Sequence, residues 1–222
     1  MIIELGPLNY AIGVIGIAVF AVTGVLAGAK RGMDIFGIAI IALVTALGGG
    51  TLRDVIIDTP VFWIQHFEYV WIAVAAAIAA FFLEDYFWKT HKPLLHLDAL
   101  GVSLFNVQAI DKTLTLGFSP GVAVIMGVVT GISGGIMRDI LTDRPNLVLK
   151  QELYATPILI GGVMYVCMLY LLPALKTVSA ITAILVVFII RVAAIRWNLR
   201  YPKWLLFAGK ESNLKQDHNH QK

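Results

Sequence analysis

The chain has 222 residues, of which 59% are hydrophobic and only 14% charged, with a formal net charge of +3 and a mean hydropathy of +0.82. A soluble domain carries about a quarter of its residues as charges, so the composition excludes that class and indicates an integral membrane protein. Long apolar runs without in–out alternation exclude a β-barrel. A single cysteine, Cys167, excludes an intrachain disulfide framework.

The expected fold class is all-α, with seven transmembrane helices. Residues 5–29 form a run of 25 uncharged positions, as do 113–137, and 153–175 form one of 23; roughly 20 apolar residues span the hydrocarbon as a helix. Shorter apolar runs at 35–52, 69–83, 99–110 and 177–190 complete the set if their helices extend past a flanking charge. In chain order the helices are expected near 8–29, 34–57, 67–88, 94–112, 118–141, 152–173 and 177–198. The first lacks a basic leader and a small-residue cleavage site, so it reads as a retained span. Cys167 is expected to be a small packing residue inside its helix.

Basic residues set the orientation. Lys30, Arg31, Lys89, Lys92, Arg138, Arg144, Lys150 and the C-terminal cluster fall on one side, whereas only Arg53, Lys112 and Lys176 fall on the other. This distribution predicts an N-terminus outside and a C-terminus in the cytoplasm. Residues 196–207, "RWNLRYPKWLLF", read as an interfacial anchor, and Arg191 as a residue snorkelling toward the inner headgroups.

The segment "TALGGGTLRDVIIDTP" at 45–60 recurs 85 residues later as "TGISGGIMRDILTDRP" at 130–145, with seven of sixteen positions identical. The same offset pairs Gly16 with Gly101, Phe20 with Phe105, Gly32 with Gly117 and Tyr69 with Tyr154. The chain therefore divides into a three-helix repeat over 1–92, a second over 93–175, a seventh helix over 176–198 and a cytoplasmic tail over 199–222. Three crossings per unit force the second repeat to enter the membrane in the opposite sense. Inverted repeats of this kind surround solute pathways in many transporters.

The repeated motif joins helix-weakening glycines to ionised side chains. Glycine costs a helix about 1 kcal/mol relative to alanine, so breaks are expected at Gly48, Gly49 and Gly50 and at Ser133, Gly134 and Gly135. Such breaks would free carbonyls near Thr45 and Thr130, which would have to be buried or face a water-filled cavity. The alternative is that the glycines only permit close helix packing, as the GxxxG spacings at Gly24, Gly28, Gly32, Gly127 and Gly131 do. Arg53, Asp54, Arg138 and Asp139 should point away from lipid. Each arginine is expected to pair with a carboxylate elsewhere, Asp58 and Asp143 included, acting equally well as a structural clamp, a gate or a solute contact. Asn106 and Gln108 are pore-lining candidates or interhelical links. His218 and His220 read as a solvated tail. Glu84 and Asp85 read as flanking charges, and no nucleotide, zinc-protease or CxxC motif points to an enzyme.

A 3+3+1 arrangement with the doubled GG-x-x-R-D-x-x-x-D-x-P resembles the trimeric intracellular cation (TRIC) channel family, in its bacterial branch, over residues 8–198. The resemblance implies a homotrimer in the bacterial inner membrane, with a hydrophilic pore in each subunit passing the kinked second and fifth helices. It implies permeation by K+ and also Na+, with no cofactor, no metal, no nucleic acid and room for bound lipid. Animal members are counter-ion channels of the reticulum that bind phosphoinositide, while some bacterial proteins of this domain type look like transporters of glycine. A channel would use the carbonyls before the break, a transporter the amides around Thr51–Asp54, and a scaffold only the packing.

Overall fold

The structure is a computed structural model that describes residues 6–83, 93–149 and 153–201. Eight α-helices occur among these residues: α1 Pro7–Ala29, α2 Ile35–Ile56, α3 Phe62–Gln65, α4 Glu68–Phe82, α5 Pro93–Thr115, α6 Pro120–Leu141, α7 Ala155–Leu171 and α8 Lys176–Trp197. The four-residue α3 is the one not foreseen. Five elements are long and apolar enough to cross a membrane: α1, α2, α5, α6, and α8 with the 3-10 turn that leads into it. The apolar α4 and α7 are shorter. Residues 84–88 of the expected third span, the Glu84-Asp85 pair, residues 202–207 of the aromatic-basic tail and His218 and His220 lie outside the described residues.

Local chemistry explains the helix limits. Proline occupies the first turn of α1 and of α6, where its missing N–H leaves no bond unmade. Asp34 caps α2 by accepting a hydrogen bond from the Gly37 amide at 2.8 Å. Gly32 and Gly117, equivalent positions in the two repeats, hold φ of +65° and +85° in the turns after α1 and α5, conformations that favour glycine. Gly32 is thus a turn residue rather than a packing position.

The two repeats meet through reciprocal contacts. A Cβ on Gly49 would lie 2.3 Å from the Thr130 carbonyl oxygen, and one on Gly134 would lie 2.3 Å from the Thr45 carbonyl oxygen. Because residue 49 faces 130 while 45 faces 134, α2 and α6 cross antiparallel about a pseudo-two-fold axis. The pair α1 and α5 repeats the pattern, with Gly16 against Phe105, Gly101 against Phe20, and the two rings 5.2 Å apart between centroids. The seventh long helix, α8, lies outside this symmetry and packs on α5 and α7.

The expected breaks are not present. Helix α2 runs without interruption through Gly48–Gly50, and α6 through Ser133–Gly135. The physical reason is the crossing: hydrogen exposed on each glycine Cα lets the opposing backbone approach, and close packing compensates for poor helix propensity. The neighbouring glycines serve the same end. Gly48 faces the Met137 sulfur, Gly50 the Phe62 ring, and Gly24 the backbone of Ala42. Cys167, expected to pack inside, is exposed on the outer surface of the bundle.

This packing predicts that Gly49→Ala and Gly134→Ala each destabilise the protein by about 1–3 kcal/mol, since a Cβ must push two backbones apart. Gly121→Ala, with nothing within 4 Å of the new atom, should leave thermal unfolding of the detergent-purified protein unchanged or raise it slightly.

Candidate functional site

Immediately beyond the crossing on either side, each Arg-Asp pair organises a buried charged layer. Contrary to expectation, each arginine does bond the aspartate next to it in sequence: Arg53 Nε donates to Asp54 Oδ1 at 2.8 Å, and Arg138 Nε to Asp139 Oδ1 at 3.0 Å. A long guanidinium stem can fold back over one residue where shorter side chains cannot. The second carboxylate oxygen closes the loop that follows each helix. Asp54 Oδ2 accepts the Phe62 amide at 2.9 Å, and Asp139 Oδ2 accepts the equivalent Leu147 amide at 3.1 Å.

Asp58 and Asp143 are not arginine partners within this motif. They hold φ of 52° and 46°, the left-handed conformation that ends a helix and that aspartate tolerates. Asp143 is turned outward and pairs with Arg31 of the first repeat at 2.9 Å.

In the second repeat, Arg138 Nη1 also donates to Asp98 Oδ1 at 2.9 Å and to Thr23 Oγ1 at 3.1 Å. Tyr154 donates its hydroxyl to Asp98 Oδ2 at 2.7 Å. Arg191 stacks over the Tyr154 ring, 4.1 Å from its centroid, and donates to the Leu153 carbonyl at 2.8 Å. It is 1% exposed, so it clamps α8 to the layer instead of snorkelling. Arg138 and Arg191 balance Asp98 and Asp139. Arg144, in the loop after α6, is held below the usual arginine range by burial and then by the Arg138 charge.

The first repeat is built differently. Lys112 Nζ lies 2.7 Å from Asp54 Oδ1 and is buried, although its place near the end of an apolar run suggested a loop charge. The adjacent Asp111 gathers Tyr165 at 3.1 Å, Lys176 at 2.7 Å and the Asn9 amide. Asn106 donates to the Ile158 carbonyl at 3.0 Å and Gln108 to the Asn9 carbonyl at 3.3 Å, so both candidates link neighbouring helices. Thr45 bonds the Ile41 carbonyl one turn back at 2.6 Å, and Thr130 is buried at the crossing.

Asp98, Asp111, Lys112 and Tyr154 were not singled out from the sequence as site residues. Charges near the ends of an apolar run look like flanking residues until a longer helix carries them inside. Two signals were available, the recurrence of Tyr69 as Tyr154 and the carboxylates bounding a short span.

Two antiparallel helix triplets sealed by glycine contacts, with a buried ion network on either side, define a membrane protein built on inverted repeats. A family model described as "Glycine transporter" matches residues 10–85 and again 95–170, the same 85-residue displacement. The chain belongs to this family. The inner membrane protein YadS of Escherichia coli K12, from the UPF0126 group, is 36% identical over 90% of this chain and 97% of its own length. A UPF0126 membrane protein of Vibrio cholerae is 38% identical over 90% of this chain and 84% of its own. Among solved structures, the TRIC trimeric intracellular cation channel orthologue from Rhodobacter sphaeroides is 33% identical with a TM-score of 0.79, covering 86% of this chain and 98% of its own. A prokaryotic TRIC channel in 0.5 M KCl gives 28% identity and a TM-score of 0.78 over 87% and 98%. The chain thus has a TRIC-like fold.

The two layers predict unequal responses to mutation. Asp98→Asn removes the carboxylate shared by buried Arg138 and Tyr154, and is expected to cost about 3–5 kcal/mol. Arg31→Ala breaks an exposed pair and should cost no more than about 1 kcal/mol. Denaturant unfolding of the two variants in one detergent checks the ordering.

Proposed function

We propose that the protein lets monovalent cations, K+ and also Na+, cross a bacterial inner membrane through a hydrophilic pathway within each subunit of a homotrimer. The N-terminus faces outward and the C-terminus the cytoplasm. The observation that carries this reading is the match, over nearly the whole of the solved chains, to TRIC cation channels. The inverted crossing of α2 and α6 supports it, because such interfaces near the membrane midplane are where solute pathways lie. In this structure the backbones of Gly49 and Gly134 are in contact with the opposing helix, so a pathway through the crossing would need α2 and α6 to separate. A bound lipid is compatible with the apolar groove of about 540 Å³ beside α2, lined by Leu43, Leu47, Trp63 and Phe67 among others.

A second reading, a carrier of a small amino acid such as glycine, is favoured by the family model's description and by the uneven charge of the two layers. Purified protein in planar bilayers should give discrete unitary K+ currents. Saturable glycine uptake into proteoliposomes without such currents would establish the carrier instead. Replacing Gly48–Gly50 with alanine is expected to lower flux several-fold in either case, and unchanged flux would show that the crossing does not move.

A further inference from the structure

The internal symmetry shows what the first layer lacks. Displacement by 85 residues relates Arg53 to Arg138, Asp54 to Asp139, Tyr69 to Tyr154, and Gly13 to Asp98. In the second repeat the Asp98 carboxylate bridges the arginine and the tyrosine hydroxyl, at 2.9 and 2.7 Å. In the first repeat Gly13 supplies no side chain. The Tyr69 hydroxyl lies 3.6 Å from where a Cβ on Gly13 would sit and makes no hydrogen bond among the described residues. Arg53 is 3% exposed, and its one hydrogen bond among those residues uses Nε. Its two Nη groups, which suit a carboxylate in fork geometry, make no hydrogen bond there, and the guanidinium lies over the Phe62 ring, 5.9 Å from its centroid.

Charge agrees with geometry. Arg53 and Lys112 face a single carboxylate, Asp54, leaving an excess of one positive charge; the neighbouring Asp111 and Lys176 cancel. In the second layer the fully buried Asp98 and Asp139 balance Arg138 and Arg191, with the half-buried Arg144 at its edge. A buried unbalanced cation is costly, so this layer favours an added anion. Two side chains cover the position. Gln108 brings its Nε2 donor to 2.4 Å from the Cβ site of Gly13, and the Phe62 ring lies 2.6 Å from the Cβ site of Gly50. At the equivalent Gly135, the nearest atom is the Asp98 carboxylate at 3.3 Å. Phe62 is only partly buried and opens the four-residue α3; its ring packs on Tyr69, 5.3 Å between centroids, and on Arg53, so a carboxylate reaching Arg53 takes the place of these ring contacts.

We infer that the first repeat holds a binding site for a small carboxylate, which takes the position of the Asp98 carboxylate between Arg53, Tyr69 and Gln108 when the Phe62 ring moves aside. The ligand class runs from free acetate to the carboxylate end of glycine. The site rests on the comparison of the two repeats and is independent of whether the protein conducts ions.

Titration calorimetry of the purified protein in detergent tests it, with sodium acetate and glycine as ligands and sodium chloride at matched ionic strength as control. Saturable heats with acetate or glycine, absent with chloride, are expected. Acetate binding shows that the carboxylate suffices, and binding of glycine alone shows that the amino group is also read. The double variant Gly13→Asp/Gln108→Thr copies the second repeat, supplying an internal carboxylate and the smaller residue found at Thr23. It should retain thermal stability and lose binding. Tyr69→Phe, which keeps the ring, should weaken binding roughly tenfold, and Phe62→Ala should tighten it. No saturable response in the wild type, an equal response to chloride, or unchanged binding in both the double variant and Tyr69→Phe would overturn the inference.

Discussion

The antiparallel contact between α2 and α6 is the constraint on which the remaining architecture depends. Two helices can approach until a carbonyl oxygen touches the opposing Cα only if that Cα bears no side chain, and Gly49 and Gly134 satisfy this at both symmetric points. In lipid, with little hydrophobic drive between helices, such close packing is a principal source of association. The crossing also fixes where every other repeated residue falls. Residues one turn beyond the glycines, Arg53 and Arg138, necessarily emerge on opposite sides of the pseudo-two-fold axis.

Those arginines are buried and must be neutralised within the protein. The duplicated motif provides a common solution in Asp54 and Asp139, each of which also caps the loop that follows through an amide eight residues later. The repeats then diverge. The second adds Asp98, which also accepts from Tyr154, the counterpart of Tyr69, and recruits Arg191 from α8. The first instead adds Lys112, keeps glycine at position 13 and closes with Phe62. A duplicated unit thus yields one face bridged by an internal carboxylate and one face without it.

Much of the fold was legible from residues alone because hydrocarbon imposes a strict length rule on helices and forbids unpaired backbone. The lengths of the uncharged runs place spans near 8–29, 34–57 and 118–141, close to α1, α2 and α6, whereas Gly32, read as a packing glycine, proves to be a turn residue. The site was legible only in part. The motif residues Arg53, Asp54, Arg138 and Asp139 do form the ion layers, but their pairing was misjudged, since an arginine's reach along its own helix is not a matter of spacing rules. Asn106 and Gln108 could be recognised as buried polar groups, yet their partners are backbone carbonyls of α7 and of Asn9, which no pattern in the sequence displays.

By itself the sequence determined the membrane class, the duplication and the residues that had to be buried as ions, because composition, length and an 85-residue repeat are properties of the chain. Only the tertiary structure decided that Gly48–Gly50 and Ser133–Gly135 continue their helices instead of breaking them, and that Lys112 and Arg191 are internal. The reason is physical. A glycine's effect depends on whether another backbone arrives to use the space it leaves, and a charge near a helix end is inside or outside according to what packs against it.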